Sequence, residues 1–272
     1  MTVRTLHIEG PALWSPLLPG WEAARAAFIG QGAPADPPAK RPSPQLLAPA
    51  ERRRAPDTVA LALEVASAAV AAAGRDAKDL PCVFISAHGD LGINDYMCST
   101  LAKEPTLLSP IKFHNSVHNA AVGYWTIGTG CMQASNSVSG YGRSFAAGLL
   151  EAAVQCVADD QAVLLVGYDM PAVGALASVT DSVGLLAVAM VLAPARTERT
   201  VASFDWSLVD GTVGETATQS SAGALLRGNP MEQALPLFER LAVQPEASLN
   251  AAPVHLSISP TLSLRLQPAQ EG

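Results

Sequence analysis

The side chains that could do chemistry crowd into one stretch, Ser109 to Asp169. It holds His114 and His118, several serines, Cys131, Cys156 and a Ser139-Gly140-Tyr141-Gly142-Arg143 turn. A turn of this kind, between a strand and a helix, is where many acyl-transfer enzymes hold a nucleophile. The helix start presents backbone N–H groups to developing negative charge. Here glycine stands at the centre of the turn, and glycine has no side chain to carry an acyl group. Gly140 and Gly142 are expected to permit a tight, positive-φ turn, with the N–H nest at the helix start left idle. His114 and His118 are spaced to share a helix face. A zinc hydrolase would carry Glu directly after the first histidine, but Asn115 is there, so no metal site is expected. Ser137, Ser139 and Ser144 invite a hydrolase reading, yet there is no Gly-x-Ser-x-Gly and no ordered Ser/His/Asp set. Cysteines at 82, 98, 131 and 156 make no Cys-x-x-Cys pair, which argues against a zinc ribbon or a redox motif. Cys82 and Cys156 lie in apolar patterns and are expected in the core.

These groups need elements to position them. Val3–Glu9 alternates weakly and predicts a first strand, followed by a proline-rich turn from Pro11 to Gly20 with an exposed Trp14. Trp21–Phe28 predicts a short helix, and 31–49 an irregular connector. Asp57–Ala73 is the strongest helix, with Asp57 as cap and Gly74 at its left-handed end. Pro81–Ala87 is a buried strand, with His88-Gly89-Asp90 at its C-terminal end, where open α/β sheets place functional loops. Leu91–Lys103 predicts a helix. Arg143–Asp159 predicts another, with Phe145, Leu149, Leu150, Ala153, Val154 and Val157 inward and Ser144, Gly148, Glu151, Gln155 and Asp159 outward. Ala162–Val166 and Leu185–Leu192 are apolar strands. Alternating strands and helices predict a layered α/β domain. In the tail, Val201–Val209 predicts a strand, Met231–Val243 a helix with Asn229 as cap, and Val254–Leu266 one or two strands broken at Pro260.

The bulk numbers narrow the function. The chain has 272 residues, 49% of them hydrophobic, with a net charge of −7. That supports a sizeable core and argues against a nucleic-acid partner. The basic run Lys40-Arg41 and Arg52-Arg53-Arg54 reads as a solvated connector or a dock for an acidic partner. No signal peptide is evident, and the longest apolar run, Val183–Pro194, is too short to span a bilayer. A cytoplasmic protein is expected.

Ser109–Asp169 resembles the N-terminal half of β-ketoacyl synthases, which have the thiolase fold. Ser109-Pro110 matches the start of that pattern, Asn119 and Gly123 its Asn/Gly pair, Ser135–Val138 the strand before the nucleophile elbow, and Val163–Asp169 the strand after the helix. The resemblance covers residues 55–195. It implies a single thiolase-like layered α/β/α domain over 1–272, corresponding to a ketosynthase N-terminal half with a short divergent tail, 196–272. On this register the nucleophilic cysteine falls at Gly142. The 78 residues after Pro194 hold one histidine, His255, and no His-Gly-Thr motif, so the groups for condensation are missing.

The resemblance also implies a function. Gln133, Ala134, Ser135, Asn136, Ser137, Val138 and Ser139 would form an interface strand. Lys112, Phe113, His114, Asn115, Ser116, His118 and Asn119 would line or approach a partner's acyl pocket. The short chain-length-factor subunits of aryl polyene and xanthomonadin-type clusters are similar in kind. This implies a non-catalytic subunit paired with a full-length catalytic ketosynthase, or with itself. Acyl carrier protein would act indirectly, and no cofactor is required. The alternatives are a free-standing acyltransferase or condensing enzyme with a non-cysteine mechanism, and a homodimeric acyl-binding protein.

Overall fold

The computed structural model describes residues 4–243 and 251–269, and Val3 lies outside them. Eight strands form one mixed sheet in the order β3-β2-β4-β5-β1-β6-β8-β7. They are β1 (Arg4–Trp14), β2 (Cys82–Ile85), β3 (Ser135–Val138), β4 (Val163–Asp169), β5 (Leu186–Ala193), β6 (Thr200–Asp210), β7 (Val254–Ser259) and β8 (Leu262–Pro268). β2 runs parallel to both β3 and β4, and every other pairing is antiparallel. Strands β2, β4 and β5 are buried throughout, as their unbroken apolar runs require.

The first strand runs past the expected turn. Its register shifts between Glu9 and Ala12, and the strand continues to Trp14. Pro11 is tolerated at such an irregularity because no ladder N–H is needed there. Gly10 has φ 53, and a Cβ at that position would lie 2.2 Å from the Ala69 carbonyl oxygen. Trp14 is therefore buried, not exposed, and it packs with Leu47 and Val59.

Helices cover both faces of the sheet. One face carries α3 (Asp57–Ala73) and α6 (Ala120–Thr129). The other carries α1 (Trp21–Phe28), α7 (Ser144–Ala158) and α9 (Leu235–Ala242). Asp57 does not cap α3. Pro56 holds that position, and Asp57 pairs with Arg41 at 3.0 Å. Gly74 closes the helix in the left-handed conformation, as expected. In α7, Ser144 and Gly148 turn inward while Val154 turns outward. The reason is Ile85, whose side chain would sit 2.4 Å from a Cβ at Gly148. The glycine allows the helix to sit close on β2.

The remaining helices among the described residues are α2 (Pro49–Arg54), α4 (Leu91–Lys103), α5 (Pro110–His114) and α8 (Ser221–Ala224). The expected helix 231–243 is in two parts, a 3-10 turn at Pro230–Ala234 and then α9. Asn229 caps the turn as expected, its Oδ1 accepting from the Met231 N–H. No helix among the described residues is long and apolar enough to cross a membrane.

The two sheet edges differ. On the outer side of β7, Thr216 N–H donates to the His255 carbonyl, and Thr216 Oγ1 and the Glu215 carboxylate accept from the His255 and Ser257 N–H groups. Among the described residues β3 pairs with β2 alone, and Ser135 and Asn136 are exposed.

Candidate functional site at the elbow

The C-terminal ends of β2, β3 and β4 converge on one small polar cluster. Asp169 is its centre. It is 1% exposed, and its carboxylate accepts from Ser86 Oγ at 2.8 Å, from Ala87 N at 3.0 Å and from the His88 backbone. Burial outweighs these bonds and pushes its pKa up to about 7. Ser86 Oγ in turn accepts from Gly89 N–H at 2.8 Å, and Asp90 caps α4 through Ile93 N–H. The His88-Gly89-Asp90 loop is thus a rigid corner. Its His88 ring lies edge-on to Tyr141 at 5.2 Å and pairs with Thr180 Oγ1 at 2.9 Å, and burial lowers its pKa. Sequence reasoning missed Asp169, Ser86 and Thr180 as partners, and the one legible signal was a polar residue ending an apolar strand.

His114 and His118 do not share a helix. His114 ends α5 and lies edge-on to Tyr124 at 6.4 Å, whereas His118 lies in the turn before α6. His118 Nε2 donates to the Ser86 carbonyl at 2.8 Å, which fixes that nitrogen as the protonated one and leaves Nδ1 as an acceptor in the neutral ring. Lys112 lies 4.4 Å from the Tyr96 ring, and Phe113 is exposed. Ser116 Oγ donates to the Phe113 carbonyl, and the Asn119 carbonyl accepts from Gly123 N–H. Asn115 is buried. Its amide donates to the Ile111 carbonyl, and its Oδ1 has no protein partner. His118 therefore belongs to the polar cluster, while Phe113 faces outward on α5.

At the turn itself the left-handed residue is Tyr141, with φ 54, and neither Gly140 nor Gly142 has positive φ. A Cβ at Gly142 would meet nothing within 4 Å. Gly142 opens onto a cleft of about 250 Å³, shared with Glu215, Thr216, Thr218, Arg227 and Gln233. The expected idle nest is occupied, because Gln233 Oε1 accepts from Ala146 N–H at the first turn of α7. Neither Ser139 nor Ser144 offers its hydroxyl to a base, since each donates to a backbone carbonyl. Ser139 Oγ donates to the Ala87 carbonyl and Ser144 Oγ to the Tyr141 carbonyl. Ser137 Oγ is buried without a partner. Burial pushes the Cys82 and Cys156 thiols up to about 12, so neither supplies thiolate at neutral pH. Among the described residues no group of His, Cys, Asp or Glu is placed to hold a metal ion.

Strand β3 carries Ser135, Asn136, Ser137 and Val138, with Gln133, Ala134 and Ser139 flanking it. Ile127, in the last turn of α6, and Met132, between α6 and this strand, are 85% and 94% exposed. Leu107, Ile111, Phe113 and Val117 are exposed as well. Soluble surfaces rarely leave so many large apolar side chains uncovered in one region of the chain.

The helix-covered mixed sheet with a strand–turn–helix elbow is that of the thiolase-like ketosynthase fold, as its similarity to known proteins shows. The profile of the β-ketoacyl synthase N-terminal domain family matches residues 21–248, and the chain belongs to that family. Solved structures agree on the fold. A chain of the Xenorhabdus doucetiae ketosynthase ApeO in complex with its chain length factor ApeC matches at 22% identity and TM-score 0.69, covering 97% of this chain and 99% of that one. The AntDE:AntF complex of a type II acyl carrier protein with its ketosynthase matches at 10% identity and TM-score 0.74, covering 98% and 100%. The ishigamide ketosynthase/chain length factor matches at 14% and 0.66, covering 98% and 100%. No curated protein matches the sequence.

Proposed function

We propose that this protein is a non-catalytic subunit of the chain-length-factor type. It pairs with a full-length, cysteine-bearing ketosynthase in the elongation of polyene or fatty acyl chains in the cytoplasm. The partner supplies thiolate and histidines and makes most of the contact with acyl carrier protein. This chain offers the open β3 edge and sets the partner's acyl pocket with Lys112–Asn119. The observation that carries the reading is the unpaired β3 edge, flanked by Ile127 and Met132 at 85% and 94% exposure. An open edge beside uncovered apolar side chains fits pairing with another chain. The glycine at 142 and the inert Cys82 and Cys156 support a subunit that does no covalent chemistry itself. Structural likeness to chains in ketosynthase/chain length factor complexes supports the same reading.

Co-expression with ketosynthases from the same genome tests it. A stable heterodimer is expected. Ile127→Asp with Met132→Asp should abolish it without unfolding the chain, since each residue forfeits about 2 kcal/mol of apolar burial at the interface. Gly142→Cys should gain no condensing activity. A lone homodimer that condenses malonyl and acyl thioesters, or a heterodimer indifferent to the double substitution, would overturn the proposal.

A further inference from the structure

We infer that the segment from Gly211 to Ala234 is a latch that closes the elbow from within, and that Gln233 is its bolt. Gln233 is 6% exposed, and every polar atom of its side chain is engaged. Its Oε1 accepts from Ala146 N–H at 2.9 Å, where an anionic ligand oxygen would otherwise be received. Its Nε2 donates to the Glu215 carboxylate and to the Ser257 carbonyl at 2.9 Å. One amide side chain thus ties the first turn of α7 to the tail loop and to β7.

A second tie stands four residues earlier. Asn229 is 2% exposed, and its Nδ2 donates to the carbonyls of Val183 and Gly184 at 3.2 and 3.1 Å. Between the two ties, Met231 is fully buried against Gly167 in β4, where a Cβ would lie 2.7 Å from its sulfur. Glu239 holds the loop above, accepting from the N–H groups of Gln219 and Ser220 and from Ser220 Oγ. The cleft beside Gly142 is walled by this same segment, so opening the latch is what would widen it. The first turn of α7 is therefore engaged by this chain's own tail, while Gly142 still faces the open cleft.

Amide exchange on the full chain tests the latch. First-turn helix amides have no intrahelical acceptor and exchange readily unless something else holds them. In the wild type, Ala146 N–H should be protected. Gln233→Met matches the side chain in length but removes all three bonds. It should speed exchange at Ala146 about tenfold, with Thr216 and His255 loosened alongside. Gln233→Glu keeps the acceptor for Ala146 but sets a carboxylate against Glu215. It should preserve protection at Ala146 and lose it at Thr216 and Ser257. The latch is refuted if wild-type Ala146 exchanges as an unprotected amide, or if Gln233→Met leaves Ala146 and Thr216 unchanged. If the Met variant does not fold, the wild-type protection and the contrast between Ala146 and Thr216 in the Glu variant decide.

Discussion

At the residue scale the molecule turns on a few buried polar groups whose partners are far away in sequence. Asp169 is the clearest. Its folded pKa of about 7 stands above its ordinary 3.8 because burial disfavours the charge. The native state therefore binds more protons than the unfolded chain between those values. Its contribution to stability is complete below about pH 4 and is lost as pH rises through about 7. Thermal melts across that range should show wild-type stability falling with pH, and Asp169→Asn should flatten the fall. Equal slopes for the two proteins would show that the buried carboxyl does not govern the profile. The glycine at 142 was legible because an absence of side chain can be read directly. Gln233 and Asn229 were not. A glutamine 87 residues from the N–H it receives leaves no local pattern.

At the element scale, long apolar or capped segments declared themselves. α3, α4, β2, β4 and β5 stand close to where periodicity and turn residues put them, because burial and helix phase agree there. α6 was missed. Its Ala-Ala-Val-Gly-Tyr-Trp-Thr-Ile-Gly-Thr carries two glycines and β-branched residues, and only packing of Val122 and Trp125 into the core makes it a helix. A short strand before the turn was legible, but the bounds of the polar β3 came only through resemblance. The join between β4 and the tail is a close approach, with Met231 in the space that Gly167 leaves. Gly167→Ala should destabilise the fold by about 1–3 kcal/mol through overpacking. Met231→Ala in the same chain should recover part of that loss, so a double-mutant cycle in denaturant should show coupling. Strict additivity would mean that the contact does not transmit strain.

At the scale of the whole molecule, the tail after Pro194 packs into the core on the α7 face of the sheet. Met231, Leu237, Phe238, Val254, Leu256 and Leu264 are buried in the same cluster as Val83, Phe145 and Val163. A chain ended after Pro194 should fail to fold, giving an aggregated or molten product by near-UV circular dichroism. A folded, soluble truncate would contradict this account. The tail's strands, the break at Pro260 and the Asn229 cap were foreseen. Its arrangement was not, because which side of a sheet a chain returns to depends on contacts with no sequence signature.

The unequal edges of that sheet carry a consequence for assembly. Loop 215–216 saturates β7, while β3 stays unsaturated. A sheet with one reactive margin has a valence of one. It can terminate a growing stack of sheets but cannot propagate one, because nothing on the far margin receives the next strand. Strand addition at β3 is then a closed, two-body event, and raising the concentration should fill the pair without lengthening it into a fibre.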